Sequence, residues 1–363
     1  MFENFWYQTV SSKKKSLLQF VFYVFLLFIS IFYGLGLFLR KKLYQYNILK
    51  AKSFGVKIIS AGNITMGGTG KTPFIEEIAK RLISEEKSVV IVCKGYKRNK
   101  KQPLNVVSDG IKILLKQENA GDEAFMLARS VQKAKVIVAD DKLMGIAYAV
   151  KLFNPDYVLL DDGFQKRGDI AKAKHCVLID AINPVGFGRL FPAGMLREPM
   201  SEIKHADAVI ITNTNLVEPE KIIRIKQMIR SFNIYIMIYE SEHHPKIVYN
   251  ISNAEKFDPD VLDGKKIIAF SSIGNPLGFE KTLKALGANM IIALRFRDHH
   301  KLSKKEMGAI IKLYDRTQAS MILTTEKDEV KIDKKYVSNS SVYALKIGML
   351  IKNIKQLEAK LTI

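Results

Sequence analysis

Cysteine and tryptophan are scarce in this chain, which has two cysteines and one tryptophan among 363 residues. Cys93 and Cys176 lie in separate apolar runs, and no CxxC pair or Cys/His cluster accompanies them. A disulfide scaffold is therefore excluded, and nothing suggests a zinc or iron–sulfur centre. The cysteine content fits a reducing, cytosolic setting for the folded body.

Acidic residues are few relative to basic ones. The chain has 36 Asp and Glu against 57 Lys and Arg, a formal net charge of +21. Such an excess favours an anionic partner, either nucleic acid, acidic lipid headgroups or a phosphorylated substrate. A general lysine bias of the proteome would give the same surplus. Because the basic residues are scattered and no RNA-binding signature occurs, we expect no nucleic-acid partner.

Long hydrophobic runs are absent except for one near the N-terminus, LLQFVFYVFLLFISIFYGLGLFL at residues 17–39. A helix of this length extends roughly 34 Å, enough to cross the hydrocarbon core of a bilayer. Lysines precede the run and Arg40, Lys41 and Lys42 follow it, so the positive-inside rule gives no orientation. The sequence therefore predicts a membrane-associated helix within residues 1–50, which either spans the bilayer or lies at its interface.

Two alternatives to a membrane helix are open for this run. A secretory signal peptide would have a shorter apolar region that ends in small residues at a cleavage site, whereas a basic cluster follows here. A buried core helix is the other alternative, although 23 residues that are apolar all round are long for one.

Short apolar runs alternate with amphipathic segments after about residue 55. The runs predicted as strands in the first part of the body are 56–60, 88–93, 134–139, 156–161, 175–180 and 207–212. Runs that are apolar throughout are typical of parallel strands covered on both faces. The alternation predicts a doubly wound α/β fold with a mostly parallel sheet.

The chain turns polar at residues 240–262, which predicts a linker or a small connecting sheet. A second set of predicted strands follows at 265–272, 289–296 and 320–325, again alternating with helices. Ser303 and Glu306 have the spacing of a capping box at the start of one of these helices. We therefore expect a core over residues 51–240 and a smaller α/β domain over residues 241–363.

A glycine-rich segment, SAGNITMGGTGKTPF at residues 60–74, lies between the first predicted strand and a helix that begins near Lys71. A phosphate-binding loop reads Gly, four residues, Gly-Lys-Ser/Thr, and here Thr65 occupies the first position. Backbone N–H groups of such a loop bind phosphate oxygens at the helix N-terminus. This motif predicts a fold of the P-loop NTPase type. The residues expected to hold the nucleotide are Thr65, Met66, Gly67, Gly68, Thr69, Gly70, Lys71 and Thr72.

The predicted loop gives two of its residues distinct roles. Lys71 is expected to reach the β- and γ-phosphates, and the Thr72 hydroxyl to ligate Mg²⁺. An acidic partner is also needed, and Asp161 and Asp162 follow a predicted strand, where two aspartates by themselves also suit a turn. Together these residues indicate MgATP or MgGTP. We favour ATP, because no guanine-reading motif is evident and TTEKDE at 324–329 has the wrong neighbours for one.

Two further clusters combine carboxylates and histidines. Asp122 and Glu123 lie at a loop-to-helix junction, and Asp298, His299 and His300 lie at a strand end. Phosphoryl transfer to an alcohol needs an acidic residue that accepts or orients the hydroxyl proton, and an Asp held by a His suits this task. The alternatives are a helix N-cap for Asp122 and a surface turn for His299.

These motifs together resemble the tetraacyldisaccharide 4'-kinase family, the membrane-associated lipid A kinases of Gram-negative bacteria. The resemblance extends from the apolar helix to about residue 331. It is carried by GNITMGGTGKTP (62–73), KGYKR (94–98), GDEAFMLA (121–128), LLDDGFQ (159–165), GRLFPAGMLREP (188–199), SIGNPLGFEKTLKALG (272–287), RDHH (297–300) and TEKDEVK (325–331). Thr65 conforms to the family, whose first loop position is usually a small hydroxyl residue. KGYKR departs from the family, in which Arg often precedes Gly-Tyr and Gly follows, and Ala124 replaces a frequent Pro.

The resemblance implies ATP-dependent phosphorylation of the 4'-hydroxyl of a tetraacylated glucosamine disaccharide 1-phosphate, which gives lipid IVA. It places the protein as a monomer on the cytoplasmic face of the inner membrane, with membrane lipids and the lipid substrate as partners. The implied catalytic residues are Asp122 as the base, His299 as its partner, and Lys71. The implied metal- and water-organising residues are Thr72, Glu123, Asp161, Asp162 and Gln165. The implied substrate-binding residues are Lys94, Arg98 and Glu198.

A membrane-bound ATPase switch of the partitioning or division-site type is the alternative interpretation. Such proteins also carry a Gly-Gly-x-Gly-Lys-Thr loop, but they have a Lys at its start where this chain has Met66. They bind membranes through short amphipathic helices instead of a long apolar one. A GTPase metallochaperone or targeting factor is disfavoured by the missing guanine motif and the missing Cys/His cluster.

Overall fold

The computed structural model describes residues 2–12, 14–95, 98–99, 102–337 and 341–361. The strands are β1 (Lys57–Gly62), β2 (Val89–Cys93), β3 (Leu104–Asp109), β4 (Lys135–Ala139), β5 (Tyr157–Asp161), β6 (Lys174–Asp180), β7 (Ala208–Thr212), β8 (Met237–Asn250), β9 (Lys256–Phe257), β10 (Lys266–Ser271), β11 (Asn289–Arg295), β12 (Met321–Thr325) and β13 (Val342–Ile351). The α-helices are α1 (Phe2–Ser11), α2 (Leu17–Gln45), α3 (Lys71–Ser84), α4 (Gln117–Ala120), α5 (Asp122–Ser130), α6 (Lys142–Phe153), α7 (Pro219–Phe232), α8 (Pro276–Ala285), α9 (Lys304–Arg316), α10 (Glu326–Glu329) and α11 (Ile354–Leu361).

One mixed sheet contains the strands of the described residues, in the order β11-β10-β12-β13-β8-β7-β6-β1-β5-β2-β4-β3, with β9 on β8. Three pairings are antiparallel, β3 with β4, β8 with β13 and β8 with β9, and the others are parallel. The doubly wound, mostly parallel α/β class predicted from the sequence is confirmed.

Helices cover both faces of the central parallel strands, which explains why strands such as β2 and β7 are buried along their whole length and almost entirely apolar. Alternate residues of β2 illustrate this arrangement. Ile91 packs into the same core cluster as Phe74 of α3, whereas Val90 and Val92 pack with Ile146 of α6. Because side chains alternate between the two faces of a strand, every side chain of a strand covered on both faces is buried, and apolar residues are favoured at each position.

The 14-residue strand β8 connects the two halves of the sheet. Its first residues pair in parallel with β7, from Met237 to Glu240, and residues from Ser241 onward pair antiparallel with β13. The polar segment 240–262 thus forms most of β8 and all of β9. Since β13, β12, β10 and β11 are parallel to one another and β13 opposes β8, they point back toward the carboxyl edge of the first half. The carboxyl ends of both strand sets therefore face each other, and loops from both reach one site.

Helix α2 lies along the body with one face in contact and the other exposed. Ser30 Oγ donates to the Leu190 carbonyl at 3.0 Å, Tyr33 Oη donates to the Arg197 carbonyl at 2.8 Å, and Arg40 pairs with Asp169 at 3.2 Å. Only 6% of its most apolar 18-residue window is buried, whereas a core helix would be mostly buried. The exposed apolar side chains include Phe20, Val21, Val24, Phe25, Phe28, Ile31, Phe32 and Leu35. Burial therefore disfavours the core-helix alternative.

Candidate active site

The glycine-rich loop follows β1 and leads into α3, as the motif predicts. Its first residues pair with residues 195–197, since Met66 N donates to the Met195 carbonyl at 2.6 Å and Arg197 N donates to the Ile64 carbonyl at 2.7 Å. Gly67 and Gly70 have φ values of 108° and 87°, where other residues are strained. The loop conformation thus depends on glycine at these two positions.

The second half of the chain covers this loop. Gly274, which follows β10, lies so close that a Cβ atom there would be 2.6 Å from the Gly68 nitrogen. Its neighbour Asn275 donates from Nδ2 to Asp180 Oδ2 at 3.0 Å, which fixes the segment against the first half. The phosphate loop is therefore held at the junction of the two strand sets.

The end of β5 and the start of α3 form the position at which a magnesium ion fits. Thr72 Oγ1 lies 3.4 Å from Asp161 Oδ2, and Asp161 Oδ1 is buried without a hydrogen-bond partner among the described residues. Such hard oxygen donors suit Mg²⁺, which keeps waters and phosphate oxygens as its other ligands. No group of three His, Cys, Asp or Glu side chains converges on one metal position in the part of the chain that the structure describes.

Asp162 adopts a left-handed backbone conformation, with φ of 59°, and turns its carboxylate toward two cations. Arg197 Nη1 donates to Oδ1 at 2.8 Å and to Oδ2 at 3.0 Å, and Lys71 Nζ lies 3.6 Å from Oδ1. Burial raises the pKa of Asp162, but the charges of Lys71 and Arg197 outweigh it and hold this pKa well below the usual range. Asp162 is thus an ionised anchor that positions Lys71.

The buried Lys142 stabilises the backbone of both Asp161 and Asp162. Lys142 Nζ donates to the Asp161 carbonyl at 2.6 Å and also to the Asp162 carbonyl. These bonds fix the backbone turn that separates the two carboxylates, so that Asp161 faces Thr72 while Asp162 faces Arg197.

Asp122 and His299 are brought together from opposite halves of the chain. His299 Nδ1 lies 3.0 Å from Asp122 Oδ2, and Gln117 Nε2 donates to Oδ1 of the same carboxylate. Burial raises the pKa of Asp122, but the hydrogen bond from His299, the charge of Lys331 and the bond from Gln117 together lower it. The carboxylate is therefore ionised at neutral pH and able to accept a proton.

Glu123 connects this pair to the phosphate loop. Its Oε1 atom lies 3.0 Å from Lys327 Nζ, which also lies 3.7 Å from Asp298 Oδ1. Burial raises the pKa of Glu123, while the charges of Lys327 and Lys71 lower it, with a net decrease. Lys71, Glu123 and Lys327 thus form one charged row from the loop to the Asp122–His299 pair.

The other predicted site residues lie apart from that pair. Gln165 Nε2 donates to the Asn63 carbonyl at 2.7 Å, just before the loop. Glu198 is buried and pairs with Arg167 at the edge of a cavity beneath α2.

The two basic residues of KGYKR that the sequence predicts as substrate contacts lie beyond β2. Lys94 follows this strand directly and is exposed. The buried Arg98 side chain pairs with Asp140 at 3.1 Å and donates to the Pro103 carbonyl at 3.0 Å. The described contacts of Arg98 therefore stabilise the loop after β2, and none of them joins it to the Asp122–His299 pair.

Sequence reasoning assigned no role to Arg197, Lys327, Lys142 or Gln117. Arg197 and Lys327 lie in two stretches that carried the resemblance, GRLFPAGMLREP and TEKDEVK. Lys327 also follows β12 almost directly, at the carboxyl edge where site residues are expected. Lys142 and Gln117 have no comparable signal, because their roles depend on contacts with the distant Asp161 and the nearby Asp122.

Known proteins resemble this chain over almost its whole length. The family profile described as "Tetraacyldisaccharide-1-P 4'-kinase" matches residues 22–362. The chain belongs to the tetraacyldisaccharide 4'-kinase family. Relatives of that name include one from Halothermothrix orenii, 33% identical over 96% of this chain and 94% of the relative, and one from Elusimicrobium minutum, 35% identical over 92% and 89%.

A solved member of the tetraacyldisaccharide 4'-kinase family has the same fold. The crystal structure of LpxK from Aquifex aeolicus, described as an "apo" form in complex with ATP, superposes with a TM-score of 0.71 at 30% identity. The match covers 94% of this chain and 98% of that one, so it includes both halves of the sheet.

We expect the buried Asp161 to make the stability of this kinase-family chain depend on pH. Burial, followed by the charge of Glu123, raises the pKa of Asp161 to about 7. Since an unfolded Asp loses its proton near pH ~4, the folded state binds more protons between about pH 4 and 7, and stability falls as pH rises through this range. Without Mg²⁺ and nucleotide, we expect Asp161→Asn to raise Tm by about 2–4 °C at pH ~8 and by less at pH ~5.

Calorimetry of the wild type, Asp161→Asn and the exposed control Asp260→Asn checks this expectation. The control should follow the wild-type pH dependence. Equal Tm differences for Asp161→Asn at both pH values would show that Asp161 does not carry the effect.

Proposed function

We propose that this protein transfers the γ-phosphoryl group of ATP to the 4'-hydroxyl of a tetraacylated glucosamine disaccharide 1-phosphate, giving lipid IVA. The proposal is carried by the observation that two groups of residues lie in one site, connected through Glu123. One is the phosphate loop with Thr72 and Asp161, and the other is the ionised Asp122 held by His299. A partitioning-type ATPase switch needs the first group but has no use for the second.

In the proposed reaction the acceptor oxygen forms a bond to the γ-phosphorus while the bond from that phosphorus to the β-phosphate oxygen breaks, releasing ADP. Asp122 accepts the hydroxyl proton, and His299 holds the carboxylate in position. Lys71 and the loop N–H groups neutralise charge on the transferred group. Magnesium, held by Thr72 and Asp161, would supply further charge neutralisation on the phosphates.

The acylated part of the substrate has a suitable place beneath α2. A cavity of about 580 Å³ lies between this helix and the body. Leu37 and Phe38 of α2 line it together with Arg40 and Lys41 of the same helix. Arg167 and Glu198 of the body also line it. Gln165 also lines it and bonds to the residue before the phosphate loop, so the cavity extends toward the site. A cavity that combines apolar and charged side chains fits a lipid with a sugar phosphate headgroup.

The same helix supports a location at the cytoplasmic face of an inner membrane. Because one face of α2 contacts the body along its length, the exposed apolar face is positioned to enter one leaflet while the helix lies in the interface. We propose that a monomer works there on substrate that stays in the bilayer, with ATP supplied from the cytosol, in a Gram-negative bacterium.

Removal of residues 1–42 is expected to release the protein from membranes, since it removes the whole apolar run at residues 17–39. Sedimentation of membrane fractions followed by immunoblotting measures the partition. Lys41→Ala is the control, because it breaks the 2.8 Å pair with Glu202 but leaves the apolar face intact, and it should stay with the membrane. Persistent membrane attachment of the truncated chain would refute the proposed anchor.

Transfer of labelled phosphate to the lipid disaccharide in detergent micelles, with ATP or GTP as donor, tests the function directly. We expect labelled lipid with ATP and little with GTP. Hydrolysis of ATP without any labelled lipid would overturn the kinase proposal and favour the ATPase switch.

A further inference from the structure

Lys327 lies on the side of the His299 ring opposite to Asp122. Its Nζ atom is 3.4 Å from His299 Nε2, while His299 Nδ1 is 3.0 Å from Asp122 Oδ2. The three side chains come from α10, the loop after β11 and the start of α5, so only the tertiary structure aligns them. The Lys327 side chain is 20% exposed, which limits competition from water.

The direction of the two hydrogen bonds follows from the chemistry of the groups. An ammonium group has three donors and no acceptor, so Lys327 can only donate to the ring. His299 Nε2 must then present its lone pair, and a neutral imidazole with an accepting Nε2 carries its proton on Nδ1. That proton points at Asp122 Oδ2, which is an acceptor when the carboxylate is ionised.

We propose that Lys327 is a positioning residue that fixes His299 as the Nδ1–H tautomer and thereby keeps a hydrogen-bond donor on Asp122. This assignment rests on the proposed kinase function only for its kinetic consequence, since the tautomer itself is a property of the free protein. In the opposite tautomer, Nδ1 would turn a lone pair toward the Asp122 carboxylate. Two acceptors would then face each other, and the aspartate would lose its orientation.

A second function for Lys327 has to be separated from this one. The ammonium also neutralises Glu123 at 3.0 Å and Asp298 at 3.7 Å, so its loss affects a charged cluster as well as a tautomer. Asp298 Oδ2 lies 3.7 Å from His299 Nε2, where it would favour a proton on Nε2. Without Lys327, Asp298 is therefore the group that draws the proton to the wrong nitrogen.

Nitrogen NMR of the free protein labelled with ¹⁵N-histidine measures the tautomer without any substrate. Among the six histidines, a His299→Asn sample identifies the His299 signals. At about pH 8 we expect wild-type His299 to show a protonated Nδ1 and an unprotonated Nε2. Lys327→Met should move a substantial part of the population to Nε2–H, and Lys327→Arg, which still donates, should restore the wild-type pattern.

Steady-state kinetics of the same Lys327 variants measure the consequence of the tautomer for catalysis. We expect Lys327→Met to lower kcat by about tenfold, less than loss of the proton acceptor itself, with Lys327→Arg recovering most of it. Lys346→Met is the matched control, because Lys346 is also half-buried and pairs with Glu326 at 2.6 Å on the other side of α10. It should leave both the His299 signals and kcat unchanged.

Two results would overturn the proposal, and both are independent of whether lipid is the substrate. One is a wild-type His299 with its proton on Nε2. The other is a Lys327→Met spectrum that keeps the Nδ1–H tautomer, which would leave Lys327 with charge neutralisation alone. Failure of the kinase function would instead appear as absent lipid phosphorylation in the wild type.

Discussion

Asp122→Asn should lower turnover of the lipid substrate by about 10²–10⁴-fold while ATP binding is retained. The amide has nearly the same shape but cannot accept a proton, and it also loses the ionic component of the bond with His299. Phosphate transfer in detergent micelles gives the rate, and calorimetric titration with ATP gives the affinity. Asp122→Ala should give the same result, with the additional loss of the contact to Gln117.

The control for this substitution is Asp315→Asn, which changes an exposed aspartate on α9 in the same way. It should leave turnover at the wild-type value. If Asp122→Asn retains near wild-type turnover, the base is another group, and the Asp122–His299 pair has a structural role.

Lys71→Met should lower kcat/KM for ATP by about 10²–10³-fold, because the ammonium that neutralises the transferred phosphoryl group is lost. The fold should survive, since the ion pair of Lys71 with Asp162 is long, at 3.6 Å, and Arg197 still holds that carboxylate at 2.8 Å. Steady-state kinetics and thermal unfolding of the same preparation separate the two effects.

Lys80→Met is the matched control for Lys71→Met. Lys80 lies on the same helix but pairs with Glu76 at its surface, so its loss should leave ATP kinetics unchanged. Equal kinetic effects of the two substitutions would contradict a phosphate contact by Lys71.

The strands predicted in the sequence all correspond to observed ones, and most of them have the continuous apolar signature of a strand buried on both faces. β11 is the exception, because its residues are exposed or half-buried. Four observed strands were not predicted individually. β8 and β9 lie mostly in the segment 240–262, which was predicted as a linker or a small connecting sheet, and the other two are β3 and β13. β3 is an antiparallel edge strand with partly exposed residues, so Leu104–Asp109 contains both polar and apolar residues and has no continuous apolar run. β13 has half-exposed residues where it pairs with β8. Its partner β8 lies mostly in the polar segment 240–262, which gives no strand pattern. The capping box of Ser303 and Glu306 was correctly predicted, since both of its bonds are local.

The residues of the candidate site also differ in whether the sequence predicts their roles. The phosphate loop could be predicted from consecutive residues, because its geometry depends on local glycines and a helix start. Asp161 and Asp162 are adjacent in sequence, yet the first faces Thr72 and the second faces Arg197, and no pattern in the sequence distinguishes them. The prediction of Arg98 as a substrate contact awaits a test, because its described contacts are with Asp140 and Pro103.

The sequence by itself determined the fold class, the nucleotide loop, the apolar helix and the family, since each depends on local order or on motifs in series. Only the tertiary structure decided which side chains act together. The reversal between β8 and β13 turns the second strand set back on the first, and this brings His299 and Lys327 to Asp122 and Glu123 across 177 and 204 positions of sequence. Contacts over such separations depend on strand direction and packing, which no local pattern encodes.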